Sequence, residues 1–243
     1  MQTKSFRIDR YISKKIGINR RDIKLMLAQG RIEINGELVR EITTIVEEFD
    51  RVLLDGKLLQ AKQPIYIMMN KPIGVVSATK DKLHKTVIDL LPKALLGNHE
   101  VAHDLHIVGR LDLNTSGLLL LTNDSRWSRK LMSPEEKVNK VYQVTLQNEL
   151  ADEYVAAFSA GMYFEFEDIT TQPAELKIVS KHVAEVVLKE GKYHQIKRMF
   201  GRFRNPVLAL HRSSIGNLLL DTSLAEGESR VLTSDEVSTI FDR

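Results

Sequence analysis

The sequence predicts an α+β protein: a small N-terminal α/β module over residues 1–60, then a larger domain over 61–243 with a mainly antiparallel mixed sheet flanked by helices. Three observations predict it. Strand-like segments follow one another in irregular order without sustained βαβ alternation, which argues against a doubly wound sheet. Two hairpin signals, Asn35-Gly36 and Asp55-Gly56, each flanked by apolar alternation, fall in the first sixty residues. Leu118 to Thr122 is a continuous apolar run of strand length between Gly117 and Asn123. Such a run suits a strand buried on both faces, although periodicity alone does not separate it from buried helix.

In the N-terminal module, Ile8, Tyr11, Ile12 and Ile16 recur at helical spacing and Gly17 ends the pattern. Asn19 is a cap for a second helix whose apolar side is Ile23, Met26 and Leu27, running to Gly30. The two hairpins follow, and the polar segment Gln60 to Pro64 reads as a linker. Beyond it, Ile65 to Asn70 is strand-like, Lys71-Pro72-Ile73-Gly74 forces a turn, and Val75-Val76 resumes the strand. Thr86 to Leu91 suits a short helix, and 92–106 a polar loop. Helices are expected at Ser125 to Met132, Ala151 to Ala160 and Tyr193 to Phe203. Strands are expected at Val138 to Leu146, Ala174 to Ile178, Val183 to Leu188 and Val207 to Leu210. Thr233-Ser234-Asp235-Glu236 is a capping box for a last helix.

With 43% hydrophobic and 28% charged residues, the 243-residue chain has the composition of a globular protein. It has no cysteine, which excludes a disulfide scaffold, a cysteine nucleophile and cysteine-bound zinc, and fits a cytoplasmic location. No apolar run approaches the ~18 residues of a membrane span, and Met1 to Arg7 has no apolar signal region. The net charge of +3 is unevenly placed. Residues 1–31 hold nine Lys or Arg against Asp9 and Asp22, and 189–212 hold seven against Glu190. Two basic clusters on a nearly neutral chain suggest two faces for one polyanion; solvated helix faces are the plainer reading.

Phosphate-loop and dinucleotide fingerprints are absent, as is H-E-x-x-H. His99, His103 and His106 have a spacing a metal could use but no carboxylate pattern beside them, so no metal is expected. Three features could carry chemistry. Asp112 stands on a turn leading into the apolar run, where a carboxylate would be held rigidly and partly desolvated. With Asn114 and Thr115 it also reads as a plain hydrogen-bonded turn. Tyr142, in Lys140-Val141-Tyr142-Gln143-Val144, puts an aromatic on a strand, where it can stack on a nucleobase or fill the core. Lys197, in the basic stretch Glu190 to Met199, is a candidate partner for Asp112 or an ordinary surface charge.

The run R-I-D-R-Y-I, followed by I-N-R-R-D-I-K-L-M-L-A-Q-G-R-I-E-I-N-G, resembles an S4 domain, an RNA-binding module. The resemblance covers about a quarter of the chain, and it implies RNA contacts from Arg7, Arg10, Lys14, Arg20, Arg21 and Lys24. The larger domain resembles the RsuA family of pseudouridine synthases. N-K-P-I-G is similar to the family's first motif, and G-R-L-D-L-N-T-S-G-L-L-L-L-T-N-D to its catalytic motif, with Asp112 as the essential aspartate. K-V-Y-Q-V is similar to the strand carrying the active-site tyrosine, and E-G-K-Y-H-Q-I-K-R-M to the last motif. In that last motif the basic residue after Q-I, here Lys197, pairs with the aspartate. More distant relatives use arginine there; a lysine pairs as a point charge without bidentate geometry.

The resemblance implies a cofactor-free isomerisation of uridine to pseudouridine in RNA. It adds Arg110 and Arg198 to the RNA-binding candidates, Arg110 to fill the space left by the displaced base or to bind phosphate. The compact length and the segment Trp127 to Pro134 resemble members acting on 16S rRNA, so the expected partner is 16S rRNA or a small-subunit assembly intermediate, met by a monomer. An enzyme acting on 23S rRNA, or a non-catalytic RNA-binding assembly factor, are the alternatives.

Overall fold

In the computed structural model, residues 5–96, 104–133 and 135–242 are described. The chain divides into two compact units after Pro64.

The N-terminal unit runs β1 (Phe6–Arg7), α1 (Ile8–Ile16), α2 (Arg20–Ala28), β2 (Ile32–Ile34), β3 (Glu37–Leu38), β4 (Ile45–Val46), β5 (Val52–Leu54) and β6 (Lys57–Gln60). Helix α1 stops at Gly17, whose φ of 73° is left-handed. Asn19 caps α2 by accepting from the Asp22 N–H at 3.0 Å. Both hairpin turns have positive φ at their central pairs, Asn35-Gly36 and Asp55-Gly56, the geometry for which these dipeptides are suited. The antiparallel order is β3-β2-β5-β6. Ile8, Ile12, Ile23, Leu27, Ile32, Val46 and Val52 form its buried core.

The second unit is built on a mixed sheet of nine strands among the described residues, seven of them in the order β13-β14-β10-β15-β9-β7-β17. These are β7 (Tyr66–Lys71), β8 (His106–Val108), β9 (Ser116–Thr122), β10 (Lys140–Leu146), β13 (Glu175–Ser180), β14 (Val183–Leu188), β15 (Val207–Ile215), β16 (Leu218–Leu219) and β17 (Ser229–Val231). A separate short pair is β11 (Tyr163–Phe164) with β12 (Ile169–Thr170). All pairings in the large sheet are antiparallel except β15 with β9. The expected α+β architecture with a mainly antiparallel mixed sheet is therefore the one observed.

Strand β9 is the centre of this sheet. It pairs with β7 along six residues, with β8 over its last three, and with β15 at Ser116 and Gly117. Leu118 to Leu121 have no exposed surface. Leu119 and Leu121 enter the core on one face and Leu118 and Leu120 that on the other, which is why the run is apolar at every position instead of alternating. Gly117 is required by close approach: a Cβ there would lie 2.3 Å from the Arg212 carbonyl oxygen.

The helix Ser125–Met132 is capped by Asp124, whose carboxylate accepts from the Arg126 and Trp127 N–H groups. The last helix, Ser234–Thr239, carries the expected capping box. Five details differ from expectation, the first a short helix, Lys93–Leu96, inside the expected loop 92–106. Val75-Val76 resumes no strand; Val76 forms a single bridge to Thr86, because the chain has turned so that Gly74 donates to the Leu113 carbonyl. The segment at Thr86 to Leu91 is one 3-10 turn, Ile88–Leu90. The expected helix from Tyr193 begins only at Gln195 and ends at Gly201. Strand β15 continues five residues past Leu210, through His211 and Arg212 to Ile215.

Candidate active site

Asp112 lies on the loop between β8 and β9, and almost everything that fixes this loop is a bond to its backbone. The Ser77 hydroxyl donates to the Leu111 carbonyl at 2.7 Å and accepts from the Leu111 N–H at 3.1 Å. Gly74 N–H donates to the Leu113 carbonyl at 2.9 Å. The Lys71 ammonium, fully buried, donates to the carbonyls of Pro72 (3.0 Å), Asp112 (3.1 Å) and Thr115 (2.8 Å). The N-K-P-I-G turn thus holds the Asp112 loop through its main chain. Burial lowers the Lys71 pKa to about 8, the Asp112 charge opposing and the Arg212 charge reinforcing that shift.

The carboxylate itself is left open. Its side chain is 34% exposed, and among the described residues the one basic side chain within 4.0 Å of it is His194, with Nε2 at 3.4 Å from Oδ2. His194 takes φ 49°, immediately before the helix Gln195–Gly201. The turn before it is clamped by Gln195, which is buried. Its Oε1 accepts from the Lys192 N–H at 3.1 Å and its Nε2 donates to Glu190 at 2.7 Å. The Tyr193 ring, 75% exposed, stacks on the His194 ring at 3.9 Å.

A cleft of about 360 Å³ opens over Asp112, a size in the range of small-molecule sites. Asp112, Tyr142, Lys197 and Arg110 all line it, so four residues singled out by sequence converge from three separate stretches of chain. Leu111, Leu188, Ile196 and Leu210 supply its apolar wall. Tyr142 is 8% exposed and belongs to the core, one of its two expected readings, and it also lines the cleft. Thr115 lines the cleft too, and its hydroxyl is buried without a hydrogen-bond partner. A ligand could satisfy such a group.

The expected pairing of Lys197 with Asp112 is not what the geometry gives. Lys197 lines the same cleft, but no Lys197–Asp112 ion pair forms within 4.0 Å, and His194 holds that place. Arg198, expected to meet RNA, is engaged inside the domain: its guanidinium pairs with Glu167 and lies 4.2 Å over the Phe164 ring. In the N-terminal unit, Arg7 and Arg20 both pair with the buried Asp9, at 3.0 and 2.8 Å. Arg10, Lys14, Arg21 and Lys24 stand on α1 and α2. His99 and His103 lie outside the described residues, and His106 is on β8.

Sequence reasoning passed over three residues of this site. Lys71 was visible only as a letter of the turn motif. His194 was visible only as part of the last motif. Arg212 was counted only as surface charge, yet it is 1% exposed and donates to the carbonyls of Leu118 (2.8 Å) and Gly109 (2.7 Å). The signal that could have singled it out is an arginine set between apolar strand residues, Leu210 and Ile215.

Residues 65–201 match the family described as RNA pseudouridylate synthase. Over 235 residues the chain is 45% identical to the ribosomal small subunit pseudouridine synthase A of Pseudomonas aeruginosa, covering 96% of this chain and 100% of that protein. With the protein of the same name from Escherichia coli it shares 38% over 236 residues, 96% and 99% of the two chains. A crystal structure described as a pseudouridylate synthase superimposes with a TM-score of 0.69 at 35% identity, over 97% of this chain and 99% of that one.

Proposed function

We propose, from the premise that this chain belongs to the RNA pseudouridylate synthase family, that it converts one uridine of 16S rRNA to pseudouridine, and that Asp112 is the reacting carboxylate. One observation carries the reading: the cleft brings Tyr142 and Lys197 to the Asp112 carboxylate, which among the described residues has only His194 within 4.0 Å as a basic neighbour. A carboxylate fixed through its backbone and open at its oxygens is arranged to act on a substrate.

In the reaction, the N1–C1′ bond of uridine breaks, the uracil turns, and a C5–C1′ bond forms. The proton leaves C5 and N1 gains one. Nothing is oxidised or reduced and no atom is lost, so the chemistry needs no cofactor. Asp112 serves it by attack on C1′, by attack on C6, or as a base at C2′. The target base must leave its stack to reach the cleft, and Arg110 on the cleft wall fits the space it vacates or a phosphate beside it. Tyr142 offers the displaced uracil a ring surface, and Lys197 supplies positive potential near the carboxylate.

The N-terminal unit is read as an S4-like RNA-binding domain using Arg10, Lys14, Arg21 and Lys24, with Arg7 and Arg20 shared between RNA and Asp9. The substrate is 16S rRNA or a small-subunit assembly intermediate, met by a monomer in the cytoplasm. The test maps pseudouridine on both large rRNAs in cells lacking the protein, then restores wild type or Asp112→Asn. One 16S site should vanish and return only with wild type. Return of the site with Asp112→Asn, or loss at a 23S site instead, defeats the proposal.

A further inference from the structure

Arg212 belongs to none of the motifs around the cleft and does not line it. It is 1% exposed, and among the described residues no carboxylate lies within 4.0 Å of its guanidinium. A buried guanidinium without an acid is expensive. Here its donors are directed at three points. Nε reaches the Leu118 carbonyl at 2.8 Å, Nη2 the Gly109 carbonyl at 2.7 Å, and Nη1 lies 3.4 Å from the Tyr142 hydroxyl.

These three points are the two ends of the segment that carries Asp112 and the aromatic that lines the same cleft. The sheet puts Arg212 there. On β10, Tyr142 stands opposite Arg212, and a register shift between Val141 and Tyr142 sets that pairing. On the other side, Arg212 pairs with Gly117 at the start of β9. One side chain therefore ties three strands at the level of the cleft. Only the planar fork of an arginine donates in these divergent directions at once; a lysine at the same place keeps the charge but has one nitrogen.

We infer that Arg212 is a positioning residue for the isomerisation, holding the Asp112 loop at both ends and the Tyr142 ring in one geometry. The inference rests on the reading that Asp112 reacts and Tyr142 receives the displaced base. Two further buried cations, Lys71 and Lys140, share the neighbourhood with it, and the Arg212 charge presses on both. The carboxylate of Asp112 acts electrostatically on Lys71.

The test compares wild type, Arg212→Met and Arg212→Lys in steady-state pseudouridine formation on a 16S rRNA fragment carrying the target. Arg212→Met should lower kcat by about 100-fold, the scale of a misplacement near 1 Å, with KM within about twofold. Arg212→Lys should recover about tenfold of that loss, as expected when charge and one bond return. A kcat within about threefold of wild type for Arg212→Met, a loss confined to KM, or a lysine variant no better than methionine overturns the inference. Hydrogen exchange of the wild-type protein decides the matter if the variants do not fold. The Leu111 and Thr115 amides, both hydrogen-bonded inside the clamped segment, should exchange as slowly as those of Leu119 and Leu120. Fast local exchange at 111 and 115 with β9 still closed overturns it. A wild type that forms no pseudouridine on either large rRNA overturns the proposed function and the inference with it, whereas an active wild type with an unimpaired Arg212→Met overturns the inference alone.

Discussion

Two aspartates, Asp9 in the N-terminal unit and Asp112 in the larger one, show how differently a fold treats an acid it rests on and an acid it presents. Asp9 is 3% exposed and saturated. It takes hydrogen bonds from Arg7 at 3.3 and 3.0 Å, an ion pair from Arg20 at 2.8 Å and the Arg10 N–H at 3.0 Å. Burial pushes its pKa up, but the Arg10 N–H and the charges of Arg7 and Arg20 outweigh burial and hold it below the ordinary value. The Asp112 carbonyl accepts from the Lys71 ammonium and the Thr115 N–H, while its carboxylate is 34% exposed with only the His194 ring beside it among the described residues. An acid the fold rests on has its oxygens consumed; an acid the fold presents has its oxygens kept available and its loop held through the main chain instead.

The sharpest way to break this contrast is to make the same substitution at both sites. Asp112→Asn should remove activity by about 10³-fold or more, the scale of losing a reacting group, while the denaturant midpoint moves by no more than about 0.5 kcal/mol equivalent. Lys197 gives the next largest effect. Lys197→Met removes positive potential from the cleft without removing a contact to Asp112, so kcat should fall by roughly 10- to 100-fold, less than an aimed donor removed from a transition state. Single-turnover rates at saturating RNA would separate this from weaker binding, and an unchanged rate would assign Lys197 to the surface.

Asp9→Asn should do the reverse of Asp112→Asn. It leaves two arginines without their acid, but both reach water, so the expected destabilisation is about 1–3 kcal/mol. Activity per folded molecule on a short RNA should stay at wild type. The effect has a pH signature. A carboxyl whose folded pKa is depressed stabilises above its unfolded value, and that stability is lost as pH falls through the folded pKa. The gap between wild type and Asp9→Asn in chemical denaturation should therefore close on acidification below pH ~4, near the ordinary aspartate value. A gap that persists there would mean that the asparagine fails by shape and not by charge.

How much of this was legible depends on how far each signal reaches along the chain. The run Leu118 to Leu121 was readable because burial on both faces leaves no polar position to confuse. The two type-specific turns were readable because the backbone demands those residues. The second half of β15 was hidden because His211 and Arg212 look like surface charge, and their burial is settled by strands that arrive from elsewhere. Strands such as β1, β4 and β16 span two residues, too few for any period to show. In the site, residue chemistry alone left Asp112 open between turn and catalyst, and the family resemblance supplied the choice. The wrong partner for Asp112 has a local cause. A helix running from Tyr193 would treat His194 as one more helical residue, whereas its left-handed φ of 49° puts it ahead of the helix and its ring against the carboxylate.

The smallest expected effect concerns Lys140, a buried cation that belongs to neither kind of site. It is 6% exposed, its ammonium donates to the Val138 carbonyl at 3.1 Å, and burial, aided by the Arg212 charge, lowers its pKa to about 8. Below pH 8 the lysine is charged in the folded and unfolded states alike, so folding bears the whole penalty of burying that charge. Between pH 8 and the unfolded value of ~10.4 the unfolded chain binds more protons, and stability rises with pH. Lys140→Met has no such dependence. The variant should match or exceed wild type at pH 7, within about 1 kcal/mol, and lose ground steadily to pH 10. Lys71 titrates in the same direction in both proteins, so its contribution cancels in the comparison. A difference that stays constant from pH 7 to 10 would show that Lys140 keeps its proton in the fold. The neighbourhood of Arg212 would then be less positive than the buried cations imply.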